Sequence, residues 1–481
     1  NMEPILVGRK AESETMKELL STKEAEMLAV IGRRRVGKTF LVRSIYKDHI
    51  CFELTGIQMA TLREQLKNFS YQLRKISPRH KKMPEPSTWT EAFIMLSQAL
   101  KSFRSKRKKV IFFDELPWLS SRKSGFLPAL GHFWNTWATK EKIIVVICGS
   151  AASWMTDKVI YNKGGLHNRI TKLINLAPIT LYETKTYLKK RRVNLENYQI
   201  AQLYMAIGGI PHYLKEIKTG LSAAQNIDAI CFSKNGLLRD EFSKLYPALF
   251  EKSENHIKII RALASKWKGM TRNEIVSTTK LTDGGSITRV LTELTVSGFI
   301  NQYLPFGKKK KESLYRLTDE YSLFYLRFIE KQVKPGSNIW LKINQTPTWK
   351  SWSGFAFESL CLKHTANIKQ ALGISGVYSE ESSFTFKGNK NREGLQIDLI
   401  IDRRDAAINL CEIKFHSSQF TIDKTYAKKI RNKASLFKDY TKTNKSLFIT
   451  FISSFGIKKN IHSTGIIDNN ITIDALFTEI E

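Results

Sequence analysis

The sequence predicts a multidomain α/β protein. It reads as a parallel-sheet core built round a phosphate-binding loop (P-loop), then a helical segment, a winged helix and a carboxy-terminal α/β unit of nuclease-like type. Three observations predict this. Residues Gly32-Arg33-Arg34-Arg35-Val36-Gly37-Lys38-Thr39 fit the pattern G-x-x-x-x-G-K-[ST], between an apolar run and a helical pattern. The β-rich run 109–113 ends in the pair Asp114-Glu115. Far downstream, two apolar strand patterns carry Gln396-Ile397-Asp398 and Glu412-Ile413-Lys414.

In the first 175 residues, strand and helix patterns alternate, which implies a parallel sheet with helices on both faces. The run 27–31 reads as a buried strand and Thr39 onward as a helix. A strand, a glycine loop and a helix start aim a row of backbone N–H groups at one point, which suits a polyphosphate. Gly32 and Gly37 let the backbone approach. Lys38 is expected to reach the β- and γ-phosphates, and the Thr39 hydroxyl to hold Mg²⁺. Arg33, Arg34, Arg35, Val36 and Phe40 complete the expected contact with ATP. Asp114 is expected to hold Mg²⁺ through water, and Glu115 to polarise the attacking water. Taken alone, that acidic pair reads equally well as a strand end capping a helix. A further buried run, 143–148, ends in Gly149-Ser150 and directs Ser150 toward the γ-phosphate or the water. Ligands of such sheets bind at the carboxy-terminal ends of the strands, where Lys38, Asp114 and Ser150 are expected to meet.

From 176 to 248 the pattern is helical, broken and restarted at Gly208-Gly209-Ile210-Pro211. Between 249 and 335, helices precede two strand patterns, 300–304 and 313–317, that flank the basic turn Gly307–Lys311. Helices followed by a basic-tipped hairpin suggest a winged helix, with the lysines on phosphates or as a solvated tip beside a protein contact. The last unit, 336–481, is again α/β. Its strands 395–402 and 408–415 form an expected hairpin that brings Asp398 near Glu412, and Glu412 and Lys414 share one strand face. Two carboxylates beside a lysine suit Mg²⁺-dependent phosphodiester cleavage, with Lys414 orienting or deprotonating water. Glu358, on a predicted helix, is an additional expected metal ligand. The competing reading is a set of polar groups at sheet ends, but burying such charges without a metal or partner is costly.

With 481 residues the chain exceeds one ordinary core. Hydrophobic residues make up 42% and charged residues 25%, a globular balance. No run approaches the roughly eighteen apolar residues of a membrane span, so no membrane partner is expected. The opening residues do not read as a leader, and Met2 is the expected native start. Five widely spaced cysteines without a C-x-x-C favour a reduced, cytoplasmic setting over a disulfide framework or a zinc site. The net charge of +33, from 77 basic and 44 acidic residues, favours nucleic acid, with DNA the expected form. The competing explanation is a lysine-rich genome.

Together these residues resemble the archaeal-type ATPases, a branch of the AAA+/STAND-like P-loop ATPases whose members carry a winged helix and often a carboxy-terminal PD-(D/E)XK nuclease-type domain. The resemblance rests on V-G-R-x-x-E at 7–12, the loop at 32–39, F-F-D-E at 112–115 and C-G-S at 148–150. It extends to G-G-I-P-x-Y-L at 208–214, and to Q-I-D-L-I-I-D-R and C-E-I-K between 396 and 414. It implies ATP and Mg²⁺ as cofactors, Arg9 and Glu12 near the nucleotide base edge, and Ser150 as a sensor. Pro211 would mark a helical lid against the nucleotide. Arg169 would be offered toward the γ-phosphate in cis or from a neighbour in a homo-oligomer, and Glu358 would be the first nuclease acid. The implied division is an ATPase core at 1–175, a lid at 176–248, a winged helix at 249–335 and a nuclease-like domain at 336–481. The implied function couples nucleotide state to DNA binding and metal-dependent DNA cleavage. The alternative is a signalling ATPase whose nuclease-like domain is an inactive docking module.

Overall fold

The apolar runs of the first 176 residues become a single sheet in the computed structural model. That structure describes residues 6–77, 84–102, 107–121, 123–150, 152–155, 159, 166, 168–250, 252–332, 334–388 and 393–480. Strands β1 (Glu26–Gly32), β2 (Ile50–Thr55), β3 (Lys109–Asp114), β4 (Ile143–Gly149) and β5 (Lys172–Leu176) are ordered β2-β3-β4-β1-β5, and every pairing is parallel. Each residue of β1 and of β4 is buried, which explains the apolar runs 27–31 and 143–148 within them. Against the sheet packs an aromatic cluster in which Phe113 and Phe126 meet edge-on at 5.7 Å, and Trp89 and Phe126 at 4.7 Å.

The chain divides into two compact units, Asn1–Pro178 with Leu249–Glu251 and Thr292–Gly298, and Ile179–Ala248 with Lys252–Leu291 and Phe299–Glu481. The second unit begins with helices Leu181–Lys190, Asn197–Ile207 and Ala223–Cys231. It then holds a small antiparallel sheet of β6 (Met270–Thr271), β7 (Ile300–Tyr303) and β8 (Leu314–Leu317), ordered β6-β8-β7, beside helices Glu254–Ser265 and Arg272–Thr279. Thr271 and Glu274 close a capping box on the latter helix.

The remaining strands are β9 (Ser379–Phe386), β10 (Leu395–Arg403), β11 (Ala407–Lys414), β12 (Phe420–Thr421), β13 (Ser446–Ser453), β14 (Ile457–Lys458) and β15 (Asn469–Thr472). Five of them form a mixed sheet, β15-β13-β11-β10-β9, antiparallel across β9, β10 and β11 and parallel across β11, β13 and β15. Helices Pro347–Lys363 and Lys424–Thr441 accompany it. The connection from β7 to β8 is tied to β9: the Phe306 N–H donates to the Ser383 carbonyl, and the Phe306 ring packs on Phe384 and Phe437. That bond satisfies one backbone group of an edge strand. Among the described residues, no helix is long and apolar enough to cross a membrane.

Candidate active site

The loop after β1 is shaped by its glycines. Gly32 has φ 144°, and a Cβ there would stand 2.5 Å from the Leu176 carbonyl oxygen, so only glycine fits. Gly37, at φ 98°, turns the chain into helix Lys38–Tyr46. Lys38 is buried and donates from Nζ to the carbonyls of Gly32 (3.0 Å) and Arg33 (2.6 Å). Burial lowers its pKa, while Cys148, Glu115 and Asp114 oppose that shift. The ammonium is therefore held by the loop's own carbonyls, near Asp114 and Glu115. Arg33 and Val36 are buried, and Arg34, Arg35 and Phe40 are half-buried.

Beside the loop, the Thr39 hydroxyl donates to Asp114 Oδ2 at 2.7 Å. The order β3-β4-β1 sets the strand ending at Gly149 between the loop strand and the strand ending in Asp114. Ser150, next after β4, accordingly donates to Glu115, with Oγ 2.6 Å from both carboxylate oxygens. Glu115 has a left-handed backbone, φ 49°, a conformation that costs a non-glycine residue about 1–3 kcal/mol. Its N–H is held by Asp114 Oδ1 at 2.9 Å. Lys38, Thr39, Asp114, Glu115 and Ser150 are thus brought together at the carboxy-terminal edge of one parallel sheet. Hard oxygen donors at Thr39 and Asp114, within hydrogen-bond reach of each other, suit Mg²⁺. Cys148, which the sequence offered as a strand residue and as the first of C-G-S but not as part of the site, is fully buried; burial first, then Asp114, pushes its thiol pKa up.

Arg9 lies at the start of helix Lys10–Ser21 with φ 59°. Its guanidinium donates to the Ala177 carbonyl (2.6 Å) and the Val36 carbonyl (3.4 Å), and pairs with Glu12 at 3.4 Å. It therefore braces the loop against the chain leaving β5. Arg169 donates from Nε to Asn135 Oδ1 at 3.2 Å, on helix Phe126–Thr136, beside Gly131. Pro211, in the second unit, opens the short helix Pro211–Leu214. Before it, Gly209 passes so close to Ile179 that a Cβ would meet that carbonyl at 2.0 Å.

The second candidate site lies on β10 and β11. Their register pairs Leu399 with Cys411, so Asp398 and Glu412 follow one step further along the same ladder. The pairing of β10 with β9 shifts between Ile397 and Ile400, a bulge at Asp398-Leu399. Gln396 donates to Asp398 at 2.6 Å. Glu412 is enclosed by cations, with Lys433 Nζ at 2.7 Å and Lys414 Nζ at 3.1 Å, and it also accepts from the Tyr426 hydroxyl. Burial pushes its pKa up, but the two lysines and these hydrogen bonds win and hold it down at about 2.

Glu358 is placed differently from the expected metal ligand. It pairs with Arg316 of β8 at 3.0 Å, and Arg316 also donates to Ser359 at 2.8 Å. Burial raises the Glu358 pKa to about 7; Arg316 opposes this and Asp398 adds to it. Desolvation outweighs the ion pair because both partners are taken from water. Among the described residues, no three His, Cys, Asp or Glu side chains converge as a metal cage. Of the three carboxylates expected to share a metal, Glu358 is thus held by Arg316 and Glu412 by Lys414 and Lys433. Arg316, Tyr426 and Lys433 were not singled out from the sequence; only the seven-residue spacing of Tyr426 and Lys433 on one helix hinted that they share a face.

Residues 6–217 match the family described as an ATPase domain predominantly from Archaea. This domain is an ATPase. The phosphate loop, Asp114, Glu115, Ser150 and Pro211 all fall within the matched stretch of the ATPase. An uncharacterized protein of Methanocaldococcus jannaschii is 25% identical over 361 residues, 74% of this chain and 76% of its own length. Among solved structures, the Walker-type ATPase of Pyrococcus abyssi aligns over 68% of this chain and 99% of its own, with 15% identity and a TM-score of 0.49. The ORC2 protein of Aeropyrum pernix aligns over 72% and 97%, with 15% identity and a TM-score of 0.40.

Proposed function

We propose that this chain couples Mg²⁺-dependent ATP hydrolysis to DNA bound by its second unit, and that the β10–β11 site cleaves phosphodiesters with a divalent metal. In this reading Lys38 and the loop N–H groups of Gly32–Phe40 bind the phosphates, while Arg9 braces the loop from behind. Thr39 and Asp114 hold Mg²⁺, which when bound supplies charge neutralisation for the leaving phosphate. Glu115 takes the proton of the attacking water once Ser150 releases it, and Ser150 senses the γ-phosphate through that exchange. Arg169 and Pro211 are the proposed contributors from outside the loop, Arg169 in cis or within a homo-oligomer.

The single observation that supports the nuclease reading is the juxtaposition of Asp398, Glu412 and Lys414 on neighbouring antiparallel strands, with Lys414 3.1 Å from Glu412. Asp398 and Glu412 are the proposed metal ligands, and Lys414 orients the water. The helices and basic hairpin between 249 and 335 are read as the winged helix that holds DNA, consistent with the chain's charge of +33. A second reading is favoured by a different observation: Lys433 already neutralises Glu412, as it would in an inactive docking module. Incubation of plasmid DNA with the full chain and Mg²⁺ or Mn²⁺ separates the two. The first reading expects nicking that is lost in Asp398→Ala and Lys414→Ala. Intact plasmid with every metal overturns it and leaves the docking role.

A further inference from the structure

Helix Glu254–Ser265 and the segment 323–331 enclose a cleft that belongs to neither site above. Its volume is about 410 Å³, within the range of small-molecule sites. One wall is apolar, from Ala264, Leu323, Leu326 and the Trp267 ring. Trp267 is fixed edge-on against Phe355 at 4.1 Å. The rest of the lining is Ser265 and three cations, Arg261, Arg327 and Lys331, against one carboxylate, Glu330. Arg261 is committed to Glu330 through two hydrogen bonds of 2.9 and 2.5 Å, so the surplus positive charge lies with Arg327 and Lys331.

The backbone here is unusual. Residues Tyr325–Ile329 form a π turn, in which the Glu330 N–H reaches back five residues to the Tyr325 carbonyl at 2.9 Å. Such turns recur at functional sites because they re-aim side chains from a helix. Arg327 lies within this one. Its guanidinium stands 5.7 Å from the Trp267 ring centroid, and its Nε is buried without a hydrogen-bond acceptor. A buried guanidinium N–H without an acceptor is costly, and an anion bound in the cleft that this residue lines offers one when the side chain turns toward it.

We propose that this cleft binds a nucleoside phosphate, with the phosphate on Arg327 and Lys331 and the base against Trp267. Guanidinium groups bind phosphate oxygens through paired N–H donors, and an indole face is a stacking platform for any base. A lone inorganic anion would leave the apolar wall unused, and an apolar ligand would leave Arg327 unpaired. A free nucleotide and one unit of a single strand share this chemistry. The inference is independent of the nuclease reading.

The test uses the full chain carrying Lys38→Ala, which removes nucleotide binding at the phosphate loop. Thymidine 5′-monophosphate and a short oligothymidylate are titrated by calorimetry. Saturable binding of at least one is expected, with thymidine lacking its phosphate about tenfold weaker. Arg327→Gln is expected to weaken binding about tenfold, and Lys331→Gln, at an exposed position, by a smaller factor at an unchanged melting temperature. Tighter binding of the monophosphate assigns the cleft to free nucleotide, and tighter binding of the oligomer assigns it to a strand. Absence of saturable binding to either probe overturns the proposal, as does undiminished affinity in both variants.

Discussion

Asp114 and Glu115 rest on hydroxyls, Thr39 at 2.7 Å and Ser150 at 2.6 Å, whereas Glu412, besides the Tyr426 hydroxyl, rests on two ammonium groups, Lys433 at 2.7 Å and Lys414 at 3.1 Å. A hydroxyl satisfies a carboxylate without cancelling its charge. A metal can then displace it at the cost of one neutral hydrogen bond. A lysine cancels the charge, and in a buried site the interaction is strong. A metal at Glu412 has to compete with a cation already in place, while a metal at Asp114 does not. In the proposed function, therefore, Mg²⁺ at Asp114 displaces a neutral hydroxyl, whereas a metal at Glu412 has first to displace Lys433.

This contrast can be broken at several points. The largest effect is expected at Lys38, whose ammonium is bonded to the loop carbonyls of Gly32 and Arg33 and not to either acid. Lys38→Ala should take ATP binding below detection by filter retention, while the fold, followed by circular dichroism, survives. Next comes Arg316, which neutralises Glu358 where both side chains are nearly buried. Arg316→Met strands a buried carboxyl and is expected to destabilise the second unit by about 3 kcal/mol. Adding Glu358→Gln to that variant should restore most of the loss. A thermal melt of Arg316→Met that matches the wild type would show that the pair contributes nothing.

The smallest expected effect is on pH dependence, where the two acids act in opposite directions. Glu412 is held down at about 2 in the folded state, against an ordinary 4.5. Its stabilisation is present above pH 4.5 and is lost as pH falls through 2. Glu358 is raised to about 7. Its contribution is present below pH 4.5 and is lost as pH rises through 7. Melting temperature followed against pH should therefore decline less steeply between 4.5 and 7 in Glu358→Gln, and less steeply on the acid side in Glu412→Gln. Parallel profiles in all three proteins would contradict these assignments.

The same contrast explains what was legible in the sequence. The parallel sheet could be read because burial on both faces writes its strands as continuous apolar runs, so 27–31, 109–113 and 143–148 fall inside β1, β3 and β4. The β10–β11 hairpin could be read because its two strands adjoin. Strand β9 was missed because SEESSFTF, at the sheet edge, has no apolar run and alternates only over its last three residues. The partners of the second site were missed for a different reason. Arg316 and Glu358 are 42 residues apart, and Lys433 stands 21 residues beyond Glu412 on another element. Charge pairing across a fold leaves no local pattern, whereas the phosphate loop compresses its chemistry into eight consecutive residues.

The most direct test of the amino-terminal account is phosphate release from ATP by Glu115→Gln, at nucleotide occupancy matched to the wild type. The amide keeps the shape and the Ser150 contact but cannot take a proton. The account predicts undiminished ATP binding with turnover reduced about 10²–10⁴-fold. Wild-type turnover in Glu115→Gln would contradict it.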